Sequence, residues 1–213
     1  MSEQKKPGPN ITPSPDGPYL VKDLEKFSNQ NGHIETKKTL ALCRCGGSAN
    51  KPFCDGTHSK IGFSSAKLDG RAEDKRENYE REQITVHDNR GICAHAGRCT
   101  DGLPSVFRLQ QEPWIDPNAS DSEEISGVIG KCPSGALSYS VNGVEHRDRE
   151  GEPSIFVAPK GPYLVSGGPQ LHETSRAEGA STEHFTLCRC GGSKNKPFCD
   201  GTHWHIQFKD DKN

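Results

Sequence analysis

Apolar residues in this chain come in short alternating bursts separated by glycine, proline and charge. The segment Gly17-Pro18-Tyr19-Leu20-Val21 reads as a turn opening a short strand, and Gly161-Pro162-Tyr163-Leu164-Val165 repeats it. The charged stretch from His33 to Leu42 is expected to supply further strands. Glu82-Gln83-Ile84-Thr85-Val86-His87 alternates polar and apolar, as does Ala136 to Val141, after which Asn142-Gly143 has the chemistry of a type I′ hairpin turn. One helix is predicted between Asp121 and Lys131. There Ile125, Val128 and Ile129 recur at helical spacing, acidic residues lead and a lysine ends the run. No apolar run approaches the roughly 18 residues needed to cross a bilayer.

Composition sharpens this into a β-rich α+β chain that is short of core material. Only 30% of its 213 residues are hydrophobic, 26% are charged, and glycine and proline number 23 and 15. With a net charge of only -2 the chain is not the highly charged disordered type, so small units held by something besides burial are expected. The near-neutral balance also argues against a nucleic-acid surface.

Nine cysteines supply the fastener, in three sets: Cys43, Cys45, Cys54; Cys93, Cys99, Cys132; and Cys188, Cys190, Cys199. The odd number cannot pair fully within one chain, and the start MSEQKKPGPN has no apolar export core, so reduced thiols in the cytoplasm are the expectation. Two of the sets lie in an internal repeat. LCRCGGSANKPFCDGTHSKIGF aligns without a gap on LCRCGGSKNKPFCDGTHWHIQF, Leu42 on Leu187 and Phe63 on Phe208, differing only at Ala49/Lys194, Ser59/Trp204, Lys60/His205 and Gly62/Gln207.

Asp55 and Asp200 are helix-capping residues, so Cys-Asp-Gly-Thr-His is expected to open a short helix. Cys54 and His58, and Cys199 and His203, then stand one turn apart on one face. Two loop cysteines plus a helical Cys and His give four convergent ligands. Spacing leaves two readings, a closed Cys3His zinc site or a 2Fe-2S cluster with mixed ligation.

Cys43-Arg44-Cys45-Gly46-Gly47-Ser48 through Pro52, Cys54, Asp55, Gly56, Thr57 and His58 resembles the signature of the CDGSH iron-sulfur family (mitoNEET-like), and Cys188 to His203 matches it again. Thr57 and Thr202 stand where the family name has Ser. The resemblance implies a small β-rich fold in which Cys43, Cys45, Cys54 and His58 hold one 2Fe-2S cluster and Cys188, Cys190, Cys199 and His203 another. It also implies that the two copies associate about a pseudo-two-fold axis, as family dimers do, within a single monomeric chain.

Between the repeats, a strand, a Cys-x5-Cys loop, the helix and Cys132-Pro133 before another strand resemble half of a bacterial ferredoxin. Its middle ligand position is Ala96. Three thiolates hold a 3Fe-4S cluster or leave one iron of a 4Fe-4S cluster unligated, and His95, beside the gap, is a candidate fourth ligand. Trp114 to Pro117 reads as packing and a turn.

The resulting division is a disordered tail over 1–16, CDGSH repeat 1 over 17–66, a charged linker over 67–82, a ferredoxin-like domain over 83–150 and CDGSH repeat 2 over 151–210. His33, His87, His146, His172 and His184 lack ligand spacing and are expected in surface or turn roles. Trp204 and His205 would make the two repeat sites inequivalent if they line the pocket. Neither a P-loop nor a nucleophile-base set is present, so the chain is expected to act as a one-electron carrier or redox sensor, and not as an enzyme. Its partner would be a redox protein, or an apo-acceptor if the chain is a cluster donor.

Overall fold

A computed structural model describes residues 8–213. In chain order, repeat 1 contributes β1 (Asn10–Pro13), β2 (Tyr19–Lys22), β3 (Lys26–Asn29), β4 (Gly32–His33), β5 (Thr39–Leu42) and α1 (Thr57–Lys60). The middle module contributes β6 (Arg76–Glu80), β7 (Thr85–Asn89), α2 (Arg98–Gly102), α3 (Ser122–Ile129), β8 (Leu137–Val141) and β9 (Val144–His146). Repeat 2 contributes β10 (Ser154–Val157), β11 (Tyr163–Ser166), β12 (Gln170–Leu171), β13 (Phe185–Leu187) and α4 (Thr202–His205). No helix among the described residues is long and apolar enough to cross a membrane.

The two repeats exchange strands. One sheet has the order β12-β1-β2-β5 and the other β13-β11-β10-β3-β4, so β3 of repeat 1 completes the sheet of repeat 2 and β12 of repeat 2 completes that of repeat 1. Both exchanged pairings are parallel, Ile155 opposite Phe27 and Ile11 opposite Leu171. Alternation sets the inner face: Tyr19 and Val21 point in while Leu20 and Lys22 point out. Ile11, Tyr19, Val21, Phe27 and Leu42 meet Ile155, Val157, Tyr163, Val165 and Leu187 in one continuous core. A single shared core is how two small units with little apolar residue each bury enough surface to fold.

The third sheet, β6-β7-β8-β9, packs against α3 through Ile84, Val86, Val106, Phe107, Ile125, Val128, Ile129 and Leu137. Asp121 caps α3 by accepting from the Glu124 amide, and the Asn142-Gly143 turn has φ of 51° and 78°, the type I′ signature.

Three expectations need correction. The tail expected to be disordered forms β1 from Asn10, because Ile11 is fully buried and β2 and β12 pair with it on both sides; residues 1–7 lie outside the described residues. The expected linker contains β6, an edge strand whose Glu77 and Glu80 face solvent, while Arg76 pairs with Glu145 and Tyr79 packs edge-on to Trp114. His87 and His184 are buried: His87 sits between Asn78 and Ser140, and His184 Nδ1 lies 2.8 Å from the Ser181 hydroxyl. His33, His146 and His172 are exposed, as expected.

Candidate metal centres

At the pseudo-two-fold axis Cys45 and Cys190 face each other across an antiparallel bridge. A Cβ on Gly46 would lie 2.4 Å from the Cys190 carbonyl oxygen, and one on Gly191 2.4 Å from that of Cys45, so only glycine lets the two Cys-Arg-Cys loops meet backbone to backbone.

Each repeat presents its four ligand candidates as two pairs. Sγ of Cys43 and Cys45 are 3.7 Å apart, and Cys54 Sγ is 3.3 Å from His58 Nδ1. In repeat 2 the separations are 3.8 Å for Cys188 and Cys190 and 3.4 Å for Cys199 and His203. Two thiolates each about 2.3 Å from one tetrahedral metal ion stand roughly 3.8 Å apart, so every pair has the bite of one metal ion. Among the described residues no three His, Cys, Asp or Glu side chains converge on one ion. The donors of each repeat thus stand as two pairs.

Local structure explains the second pair. Gly56 and Gly201, at φ 85° and 81°, start α1 and α4, and the capping carboxylate sits one residue earlier: hydrogen bonds from the Thr57 hydroxyl first, then from the Thr57 and Ala49 amides, hold the Asp55 carboxyl far below the carboxylate range. Glycine amides point at the sulfurs, Gly47 to Cys45 at 3.4 Å and Gly56 to Cys54 at 3.5 Å, with the same pattern at Gly192 and Gly201. Burial pushes the Cys45 thiol up to about 11 and raises Cys199 further, so these sulfurs need a cation to ionise comfortably. A bound metal would supply it.

The middle set surrounds a cavity of about 580 Å³. Cys93 follows a 3-10 turn, Cys99 sits on α2 and Cys132 follows α3; Arg90, stacked 3.7 Å over the Trp114 ring, and Asp88 help to wall the space. Burial raises both Cys93, to about 11, and Cys99. The room available suits a multinuclear group. Trp114 is buried and Asp116 caps the Pro117–Ala119 turn, the structural role expected of that stretch.

His95, at φ 51°, lines this cavity and also leans on repeat 2. A Cβ on Gly201 would lie 2.9 Å from His95 Cβ, while nothing is within 4 Å of the equivalent point on Gly56. Trp204 Nε1 donates to the His95 carbonyl at 3.2 Å, and Asn195 Nδ2 donates to that of Gly91 at 2.6 Å. Trp204 is largely exposed and lies against His203 with ring centroids 5.1 Å apart. The middle module thus covers one repeat site only: Cys199 and His203 are buried, whereas Cys54 and His58 are half-exposed. Trp204 replaces Ser59 of the other repeat, a difference visible in the sequence, whereas Asn195 is identical to Asn50 and differs only in what it meets.

Known proteins agree with this organisation. The family described as "Iron-binding zinc finger CDGSH type" matches residues 16–59 and 160–204, and "Divergent 4Fe-4S mono-cluster" matches 79–142. "Uncharacterized protein YjdI" of Escherichia coli K12 is 44% identical over 61 residues, 29% of this chain and 80% of that protein, and its counterpart in Escherichia coli O157:H7 matches equally. No solved structure matches the chain. Nine cysteines in three sets, paired donors in both repeats and a walled cavity between them carry the same conclusion: the chain is an iron-sulfur protein of the CDGSH family, with two CDGSH domains flanking a divergent 4Fe-4S mono-cluster domain.

Proposed function

We propose that this chain is an electron carrier holding a 2Fe-2S cluster at Cys43, Cys45, Cys54 and His58, a second at Cys188, Cys190, Cys199 and His203, and a 3Fe-4S or 4Fe-4S cluster at Cys93, Cys99 and Cys132. Such clusters take up and release single electrons, and imidazole in place of a thiolate leaves them less negative and easier to reduce. The observation that carries this reading is the contact of His95 with Gly201, which brings the loop bearing Cys93 against the turn bearing Cys199. Electrons would pass between the middle and repeat 2 sites, while the half-exposed repeat 1 site faces outward for a protein partner. Each repeat finds its strand-exchange partner inside the same chain, which supports a monomer as the working unit.

The test is iron, sulfide and zinc content with low-temperature EPR on protein purified without oxygen, as isolated and after dithionite. About seven or eight irons with matching sulfide and two kinds of signal support three clusters. Zinc in a colourless protein overturns the reading. The exposure of Cys54 and His58 favours a second reading, that repeat 1 donates its cluster to an apo-acceptor. Net transfer to apo-ferredoxin supports donation, and electron exchange without transfer supports carriage.

A further inference from the structure

The internal duplication provides its own control for the arginine inside each Cys-Arg-Cys loop. Both arginines are almost fully buried in equivalent cradles. Arg189 donates from Nε to the Gly161 carbonyl and from Nη2 to that of Ala158, each at 2.7 Å, beneath the Tyr163 and Phe208 rings. Arg44 donates from Nε to the Gly17 carbonyl at 2.6 Å and from Nη2 to that of Ser14, beneath Tyr19 and Phe63. The copies differ at the third nitrogen. Arg189 Nη1 is paired with the Asp210 carboxylate, which Asn213 also holds, and Asn29 fixes Asn213 in turn. The residue aligned with Asp210 in repeat 1 is Ser65, and among the described residues Arg44 forms no ion pair.

Where the carboxylate is missing there is a cavity of about 310 Å³, lined by Arg44, Lys67, Lys196, Ser65, Thr174 and Glu173 among others. Lys196 is buried, its ammonium 6.0 Å from the Phe63 ring centre, and the Arg44 guanidinium lies 5.5 Å from the same centre. Two buried cations thus flank one ring, with Lys67 nearby and Glu173 as the single lining carboxylate. The Asp16 carboxylate accepts from the Ser65 amide and hydroxyl, within reach of the Arg44 charge, and does not line the cavity. Asp16 feels the Arg44 charge without pairing with it directly, whereas in the twin a carboxylate bonds the buried guanidinium, and it is that directly bonded carboxylate that repeat 1 lacks.

We propose that this cavity binds a small oxyanion, a carboxylate or phosphate group, in the place that Asp210 fills in repeat 2. Arg44 Nη1 and Lys67 would donate to it, with charge-assisted hydrogen bonds, and Lys196 would add to the field. The proposal stands apart from the electron-transfer reading, since it needs only the folded chain. Because Arg44 lies between Cys43 and Cys45, occupancy would also register at the repeat 1 site.

Isothermal titration of the full chain with inorganic phosphate and with acetate, at low ionic strength, tests it. One saturable site for either anion is expected, and whichever binds more tightly identifies the source of the oxyanion. Ser65→Asp, which supplies the twin's carboxylate, and Lys67→Glu, at an exposed position, are each expected to weaken binding about tenfold or more. If Ser65→Asp does not fold, Lys67→Glu decides alone. No saturable binding of either anion, or binding unchanged in the folded variants, overturns the proposal.

Discussion

The Tyr163 hydroxyl donates to the carbonyl oxygen of Cys43, 2.8 Å away, and also to that of Pro52 at 2.9 Å; Tyr19 makes the mirror-image bonds to Cys188 and Pro197. Each repeat therefore pins the ligand loop of the other. Both rings are fully buried, so Tyr→Phe removes the tyrosine donor from the Cys43 or Cys188 carbonyl at a cost of about 1–3 kcal/mol, while the Pro52 and Pro197 carbonyls still accept from the Cys43 and Cys188 amides. Tyr163→Phe is expected to speed metal loss from the repeat 1 site and Tyr19→Phe from the repeat 2 site. Visible absorbance decay, with each site separately disabled by a Cys→Ser change, reads which site responds. Loss confined to the site in the tyrosine's own repeat would contradict the crossed arrangement.

Gly56 and Gly201 share a positive φ, so alanine at either carries a backbone strain of roughly 1–2 kcal/mol. At Gly201 the new Cβ also meets His95, whereas at Gly56 it meets open space. Gly201→Ala is expected to lower the unfolding midpoint more than Gly56→Ala, and to weaken magnetic coupling between the middle and repeat 2 centres in the reduced protein. In His95→Ala the middle module should keep its iron but lose that coupling. Iron analysis and pulsed EPR separate this positioning role from ligation, in which case iron would fall.

Much of this was legible in the sequence. The repeat, the pairing of Cys with Cys and of Cys with His in each copy, the α3 helix and the Asn142-Gly143 turn follow from residue identity at fixed spacing. The strand exchange was not, because local patterning says where a strand forms but not which sheet receives it, and Lys26 to Asn29 has the same alternation in either. Ile11 was a visible clue. It aligns with Ile155 ahead of Pro15-Asp16-Gly17 and Pro159-Lys160-Gly161, yet the Pro-rich composition around it reads as a tail until β2 and β12 are placed beside it. The burial of His184 likewise depends on the middle module packing over repeat 2, a contact between segments far apart in the chain.

That histidine sets one limb of the pH profile. Burial, and then the nearby Arg149 charge, lower His184 to about 4, while a hydrogen bond to the Cys132 backbone opposes the shift. The unfolded chain takes up a proton near pH 6.5 and the folded chain does not, so the stability this group contributes is present above that pH and lost as pH falls towards 4, by roughly 2–3 kcal/mol. Denaturant midpoints between pH 7 and 4 should fall, and fall less in His184→Gln.

Asp88 acts in the opposite sense. Its side-chain oxygens have no hydrogen-bond partner, Arg90 Nε stands 3.4 Å away, and burial raises it to about 6. A carboxyl raised in the folded state contributes stability below its ordinary value near 3.8, and that stability is lost as pH rises through about 6. Asp88→Asn is therefore expected to raise stability at pH 7 by roughly 2 kcal/mol and to remove the corresponding slope between pH 4 and 6. An Asn variant less stable than the parent at pH 7 would mean that the pairing with Arg90 outweighs desolvation.

The two repeat sites should part company in mild acid. His203 is buried beneath the middle module, and desolvation lowers it to about 4, whereas His58 is half-exposed. Protonating a ligand imidazole competes with its metal, so the covered histidine resists until the pH is far lower. Absorbance decay near pH 5.5 should be biphasic, the fast phase belonging to repeat 1. His58→Cys is expected to abolish the fast phase and to lower the midpoint potential of that site, because a thiolate leaves the centre more negative. His203→Cys should leave the fast phase untouched. A single decay rate in the parent protein, or a fast phase that survives His58→Cys, would remove the link between burial and retention.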